Sequence, residues 1–330
     1  MFKNINEAKE YIQSHHIAFI DLKLVDLRGR FRHISIPSER LNEKMMEEGV
    51  GFDASNYGYA TVEKSDMVFY PDLSSAYLEP FTKYPTLSMM AKVCVIEDKK
   101  NVLFKQYPRN VILSAVEYMK KEGIGDEMLV APEYEFSVFD TMSYSIASDE
   151  ISAKLTSVES EFSSKDIQNN GYHILPKDGY HYDQPGDLHF DLRNEICEKM
   201  MECGIPVKYH HHEVGGSGQM EIEVELDDVC KMADNTLLSK YLVHNIAKRN
   251  NKTATFMPKP IYDEAGNGMH VHMLIKRNGE NIFYKQGAYA NLSEEAMYFI
   301  GGLLKHTASL CAFLNPRSEE RRVGKECRSR

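Results

Sequence analysis

The chain has 330 residues, enough for two domains with cores of their own. A formal net charge of −10 argues against a nucleic acid or a membrane surface as partner, and no apolar run is long enough to span a bilayer. Six cysteines with no Cys-x-x-Cys pair read as reduced thiols, and the polar amino terminus carries no signal peptide, so the expected compartment is cytoplasmic.

Asn4–Ser14 reads as a capped amphipathic helix. Phe19–Val25 alternates, turns at Arg28-Gly29-Arg30 and returns through Phe31–Ile36, which is a hairpin signal. A strand over about Ser88–Glu97 completes a small α+β domain, residues 1–102. A helix at Asn110–Lys121 opens a larger domain, 103–316, whose strands alternate with helices at about Leu188–Glu202, Asp228–Arg249 and Ser293–Leu314. Met142–Gln168, rich in Ser, Asp and Glu, reads as a solvated loop, and no internal repeat is visible.

Three stretches of the larger domain carry the chemistry: Pro132-Glu133-Tyr134-Glu135-Phe136, then His210-His211-His212-Glu213 through Gly218-Gln219-Met220-Glu221, then Gly268-Met269-His270-Val271-His272. Side chains at i and i+2 of a strand share a face, so Glu133 and Glu135 point the same way, as do His270 and His272. A lone Glu-x-Glu is most often the solvated face of an edge strand, and a histidine run is often a surface tract. Here Met128–Phe139 is apolar on both sides of the glutamates, where an unneutralised carboxylate pair is costly. The loop Gly215-Gly216-Ser217-Gly218 reverses the chain, but neither a helix signal nor Gly-Lys-Ser/Thr follows it, so it is weak evidence for a phosphate cradle. Glu223 and Glu225 share a face with Glu221 and read as solvated or charge-paired rather than as ligands. Four carboxylates and a histidine converging make a site for two hard divalent cations, Mg²⁺ or Mn²⁺. A pair of such ions is the usual device for handling a transferring phosphoryl group.

With these blocks the chain resembles the glutamine synthetase family, the bacterial type that assembles from stacked rings. The other matching blocks are Gly51-Phe52-Asp53, Ser65-Asp66-Met67 with Pro71-Asp72, Lys177-Asp178-Gly179-Tyr180 and Lys252–Pro260, and the resemblance runs to about Pro316. It implies an α+β fold: a small N-terminal β-grasp-like domain, then a catalytic domain with a curved antiparallel sheet flanked by helices, incomplete here. It also implies that Glu135, Glu213 and Glu221 hold one metal, while Glu133 and His270 ligate a second that bridges the phosphates of ATP, giving two or more ions per site. His272 falls where the family contacts the nucleotide, Tyr180 where it lines the ammonium site, and Gly266 and Asn267 in the loop that binds the amino-acid substrate. Asp53 matches the aspartate that attracts ammonium and takes its proton. In the family a neighbouring subunit supplies it, so a homo-oligomer is expected. The implied partners are glutamate, ammonium and ATP, and the implied reaction ligates ammonia to the γ-carboxylate of glutamate through a γ-glutamyl phosphate.

The chain departs from the family pattern at four places. After Asp53 it reads Ala54-Ser55-Asn56-Tyr57 where the family has Gly-Ser-Ser. Ala265-Gly266-Asn267-Gly268 replaces Asn-Gly-Ser-Gly, and Leu274 stands where a serine lies near the nucleotide. Residues 317–330 carry nine charges in fourteen positions and resemble the conceptual translation of a sequencing adapter. They are therefore expected to be an artefactual tail on a chain that breaks off after Pro316, inactive as written whatever its full-length parent does. These departures keep open a paralogue that joins glutamate to another amine, and a non-catalytic relative that keeps the metals. A histidine–carboxylate site alone would also permit a metal-dependent hydrolase.

Overall fold

A computed structural model describes residues 1–97, 100–160 and 170–315, so the charged tail and the end of the Met142–Gln168 segment lie outside the described residues. The chain divides into two compact units. One comprises Met1–Ile124, Glu202–Gly204 and Asp227–Lys240; the other comprises Gly125–Met201, Ile205–Leu226 and the chain from Tyr241 onward.

The first unit opens with α1 (Ile5–Ser14), whose start is fixed by its sequence. The Asn4 side chain accepts from the Glu7 N–H at 3.0 Å, and the Glu7 carboxylate reaches back to the Lys3 N–H at 2.8 Å, so two orphan donors are satisfied. β1 (Phe19–Val25) and β2 (Phe31–Pro37) form the expected antiparallel hairpin. After α2 (Glu43–Glu48) come β3 (Val50–Asp53), β4 (Asp66–Pro71) and the short β5 (Tyr77–Leu78), then the long β6 (Thr86–Glu97), β7 (Lys100–Leu103) and α3 (Pro108–Lys121). The sheet runs in the order β2-β1-β6-β4-β3, with β5 and β7 also on β6, and β1 lies parallel to β6. This is the β-grasp arrangement. Ile20, Leu22 and Leu24 of β1 pack in the core with Leu87, Met89 and Ala91 of β6. The alternation in β1 does not separate core from water, because Asp21 and Lys23 between the leucines are buried as well.

The second unit is built on β8 (Glu127–Phe139), thirteen residues long. β9 (Thr141–Ile146) and β10 (Ile151–Thr156) follow, then α4 (Phe190–Glu202), β11 (Val207–His212) and β12 (Gln219–Val224). The two-residue β13 (Asp227–Asp228) leads into α5 (Val229–Arg249), within which the boundary between the units falls. β14 (Thr253–Thr255), β15 (Val271–Arg277), β16 (Glu280–Asn281), α6 (Glu294–Lys305) and α7 (Thr307–Leu314) complete the described chain. β11-β12-β8-β15-β16 lie side by side, all antiparallel. Along its second edge β8 pairs first with β15, over Glu127–Pro132, and then with β14, over Ser137–Phe139. The loop from β14 to β15 crosses the gap between them.

Two expectations need correction. The segment read as a loop from Met142 is, as far as Thr156, the β9–β10 hairpin. Met142, Tyr144 and Ile146 recur at every second position, so a strand period lies beneath the polar composition, and these side chains are exposed. The single helix expected over Ser293–Leu314 is two helices bent by 66°. Gly301-Gly302 weakens the helix before the break, and the Thr307 hydroxyl takes the Leu303 carbonyl at 2.9 Å. Among the described residues no single helix is long and apolar enough to cross a membrane.

Candidate metal centre

The register of β11, β12 and β8 arranges the predicted residues in rows on one face of the second unit's sheet. His211 pairs with Glu221, which pairs with Glu135; in the next row Tyr209 pairs with Glu223, which pairs with Glu133. Glu133, Glu135, Glu221 and Glu223 therefore share a face, as the two-residue period requires. Tyr134, Phe136, Met220 and Ile222, on the other face of β8 and β12, are buried apolar side chains.

Glu213 follows β11 and turns back onto the same place. Its N–H donates to the Gln219 carbonyl at 2.9 Å, across a hairpin whose last loop residue, Gly218, has φ +81°. A Cβ on Gly218 would come within 2.3 Å of the Val138 carbonyl oxygen, so only glycine lets the turn lie against β8. Glu135, Glu213 and Glu221 are all buried, each with a carboxylate oxygen within 4.8 Å of the others. Like charges placed opposite each other on neighbouring strands repel, and desolvation adds to that cost. Burial, then Glu135, Glu213 and Glu133, pushes the Glu221 carboxyl up to about 8. Burial also raises Glu135, offset in part by the Gly268 N–H and reinforced by Glu213 and Glu133.

Glu133 behaves oppositely. Burial acts to raise it, but hydrogen bonds with His272 and His270 outweigh that and hold its carboxyl below the usual range. His272 Nε2 lies 2.6 Å from one carboxylate oxygen and His270 Nδ1 lies 2.7 Å from the other. Both imidazoles are mostly exposed, so Glu133 and its histidines sit at the open side of the row.

Gln219, to which the sequence reading gave no role, ties the pieces together. Its side-chain N–H groups face Glu135 Oε2 (3.3 Å), the Gly266 carbonyl (2.9 Å) and Asn267 Oδ1 (3.1 Å), and its own oxygen accepts from the Gly215 N–H (2.7 Å). Gly268 N–H donates to Glu135 Oε2 at 2.9 Å. The buried Asn267 amide donates to the Met257 carbonyl at 2.9 Å and also meets Ser137 Oγ at 3.3 Å. Its carboxamide is therefore committed inside the protein, pinning the β14–β15 loop across the gap beside β8, and is not presented to solvent.

Tyr180 is exposed; its ring stacks on His181 and meets His211 edge-on at 5.4 Å. The strap that carries it is tied down by Gly179 N–H to the Val214 carbonyl and His181 N–H to the His212 carbonyl, both 3.0 Å. A Cβ on Gly179 would lie 2.5 Å from the Glu213 carbonyl oxygen, so the strap can approach only at glycine. Asp53 belongs to the first unit. It ends β3, is exposed, and accepts from the Ser55 N–H at 2.9 Å and from Nδ2 of Asn56, which departs from the family pattern, at 3.4 Å. Hydrogen bonds from Ser55 keep its carboxyl below the usual range.

Oxygen donors dominate this face, and buried carboxylates crowded so closely suit a hard divalent cation in chemistry and in charge. Glu223, on the same face, is instead paired with Lys208 Nζ at 3.0 Å and with the Tyr209 hydroxyl. Charge pairing was one of the two states expected for it.

Family profiles match in the same order as the units: "Glutamine synthetase, beta-Grasp domain" over residues 16–96 and "Glutamine synthetase, catalytic domain" over residues 105–321. The chain is 39% identical over 318 residues to a glutamine synthetase of Pseudomonas aeruginosa, covering 94% of this chain and 66% of that one. It is 37% identical over 320 residues to a 3-hydroxylaminophenol mutase of Cupriavidus pinatubonensis, covering 96% and 67%. A cryo-EM structure of Plasmodium falciparum glutamine synthetase superposes with a TM-score of 0.85 at 28% identity, covering 94% of this chain and 61% of that one. The chain thus spans about two thirds of the length of these relatives. By profile, sequence and fold alike, it belongs to the glutamine synthetase family.

Proposed function

We propose that the face formed by β8, β11 and β12 is the metal-binding floor of an ATP-dependent ligase that joins ammonia to the γ-carboxylate of glutamate through a γ-glutamyl phosphate. The observation that carries this reading is the buried trio Glu135, Glu213 and Glu221, drawn within 4.8 Å of one another although like charges should separate. In this reading the trio holds one Mg²⁺ or Mn²⁺, and Glu133 with His270 holds a second. When bound, such ions offset the charge that accumulates as a carboxylate oxygen attacks the γ-phosphorus of ATP and ADP leaves. Glu133 keeps His270 and His272 turned toward the nucleotide side. Asp53, supplied by a second copy of the chain in an oligomer, accepts the proton of ammonium. Its carboxyl is held low, so the transfer depends on ammonium becoming more acidic once water is excluded. Tyr180 lines the path of the amine, and Asn267 positions the Gly266–Gly268 backbone beside the acid substrate. A cytoplasmic location fits this chemistry.

A second reading, in which another amine replaces ammonia, has its own support. Beside Asp53, Ala54 and Asn56 stand where the family has glycine and serine, Asn56 Nδ2 reaches the Asp53 carboxylate at 3.4 Å, and Ala265 removes a side-chain amide from the substrate loop. The Cupriavidus relative, named a mutase, indicates that this scaffold is not confined to one activity. The test is phosphate release from ATP with acid, amine and divalent metal each omitted in turn, followed by a panel of amines. Release only when acid and amine are both present supports a ligase, and the preferred amine separates the two readings. Release from ATP without the acid overturns both. Metal binding without turnover by the full-length parent moves the protein to a non-catalytic role.

A further inference from the structure

On the face of β11 turned away from the carboxylates, a second charged layer is enclosed. The Glu159 side chain has 0% exposure, as do those of the two histidines it contacts. Its two oxygens serve two different elements. Oε1 accepts from the Leu188 N–H at 2.8 Å and lies 3.0 Å from His189 Nδ1, just before α4. Oε2 lies 3.1 Å from Nε2 of His212, the last residue of β11. The other ring nitrogen of His212, Nδ1, lies 2.7 Å from the carbonyl oxygen of Glu213. Each nitrogen of His212 thus faces an oxygen, and the ring cannot turn without losing both. Two residues earlier on the strand, His210 Nδ1 lies 3.3 Å from Nε of Arg193, an α4 residue that forks onto Asp187 at 2.9 and 2.5 Å. The layer therefore continues beneath β11.

An ion cluster that served stability alone would need only to be buried and satisfied. This one has an arm that ends on the main chain of Glu213, one of the three carboxylate residues of the opposite face. We propose that Glu159 is a positioning residue for that face: through His212 it fixes the peptide at Glu213, and so the direction in which Glu213 presents its carboxylate to Glu135 and Glu221. The inference rests on the reading of that trio as metal ligands. Groups that orient a ligand residue without touching the metal are as much a part of a metal site as the ligands themselves.

The test is Mn²⁺ binding to the whole chain, followed by calorimetry and by the spin-resonance spectrum of the bound ion. Glu159→Gln and His212→Gln should each weaken binding ~10- to 100-fold, the usual cost of losing a group that orients a ligand. The double variant should bind no worse than the weaker single one, because the two residues act in series. His189→Gln breaks the other arm of Glu159; it should lower Tm yet leave affinity within about two-fold of wild type, since no ligand is reoriented. The spectrum of Mn²⁺ on Glu159→Gln should differ from wild type, which general destabilisation alone would not produce. Wild-type affinity in Glu159→Gln and His212→Gln overturns the proposal, as does a loss in all three variants that follows their Tm. If Glu159→Gln does not fold, His212→Gln against His189→Gln decides by the same criteria. Glu221→Gln distinguishes the two levels of failure. If the wild type binds no Mn²⁺, or Glu221→Gln binds like wild type, the reading of the trio fails and takes this inference with it.

Discussion

On β1 of the first unit, Lys23 lies 3.2 Å from Asp21 and 3.2 Å from Glu79, and all three are buried. On β8 and β12 of the second unit, Glu135 and Glu221 are equally buried and face one another in register. Both regions take charge out of water, but with opposite balances. Around Asp21, burial would raise the carboxyl, yet Lys23, Ser35 and His33 together bring it below the usual range. Around Glu221, burial and further carboxylates act in the same direction. Buried charge that brings its own counter-charges holds a fold together; buried charge of a single sign is complete only when something cationic arrives.

Removing the counter-charge in the first region should have the largest effect. Lys23→Met removes the buried cation from between Asp21 and Glu79 and should cost ~3–5 kcal/mol in denaturant unfolding, with Mn²⁺ affinity unchanged. In the second region the sign should invert. Glu221→Gln should cut Mn²⁺ affinity by at least ~100-fold and yet raise the Tm of the metal-free protein, the exchange of stability for function expected at a strained site. A fall in metal-free Tm would break the comparison. The pH dependence sharpens it further. The folded pKa of Glu221, about 8, stands above its ordinary value of 4.5, so the folded state holds the extra proton between these limits. The corresponding stability is fully present below the lower value and is lost as pH rises through the upper one. Melting of the metal-free protein from pH 5 to 9 should show that decline, and saturating Mg²⁺ should flatten it. The smallest effect is reserved for Glu223, which shares the face but is paired with Lys208. Glu223→Gln should change Mn²⁺ affinity by less than ~3-fold, because its charge is already offset.

Much of this was legible in the sequence because it repeats at short range. The two-residue period of Glu133 and Glu135, the Asn4 cap and the β1–β2 hairpin need only a few neighbouring residues to be read. What escaped depends on distant partners. Gln219 is unremarkable until Glu135, Gly266 and Asn267 arrive around its amide, and Glu159 until His189 and His212 do. Asn267, which the resemblance places in the substrate loop, uses its buried amide to hold that loop, and burial is a property of the fold. Polar composition hid the β9–β10 hairpin, whose alternating Met142, Tyr144 and Ile146 are exposed rather than turned to a core.

The long central strand β8 has a consequence for how the molecule comes into being. As the chain emerges from synthesis, β8 is made well before β12, β13, β14 and β15, its four partners among the described strands, and none of its ladder can form until they follow. Its pairings are thus nearly all long-range, the kind that slow folding and leave an apolar edge open to other chains in the interval. The trio is joined only after that wait. Closing the sheet then requires Glu221 either to take up a proton or to meet a cation, so divalent metal present during refolding should act as an assembly factor as well as a ligand.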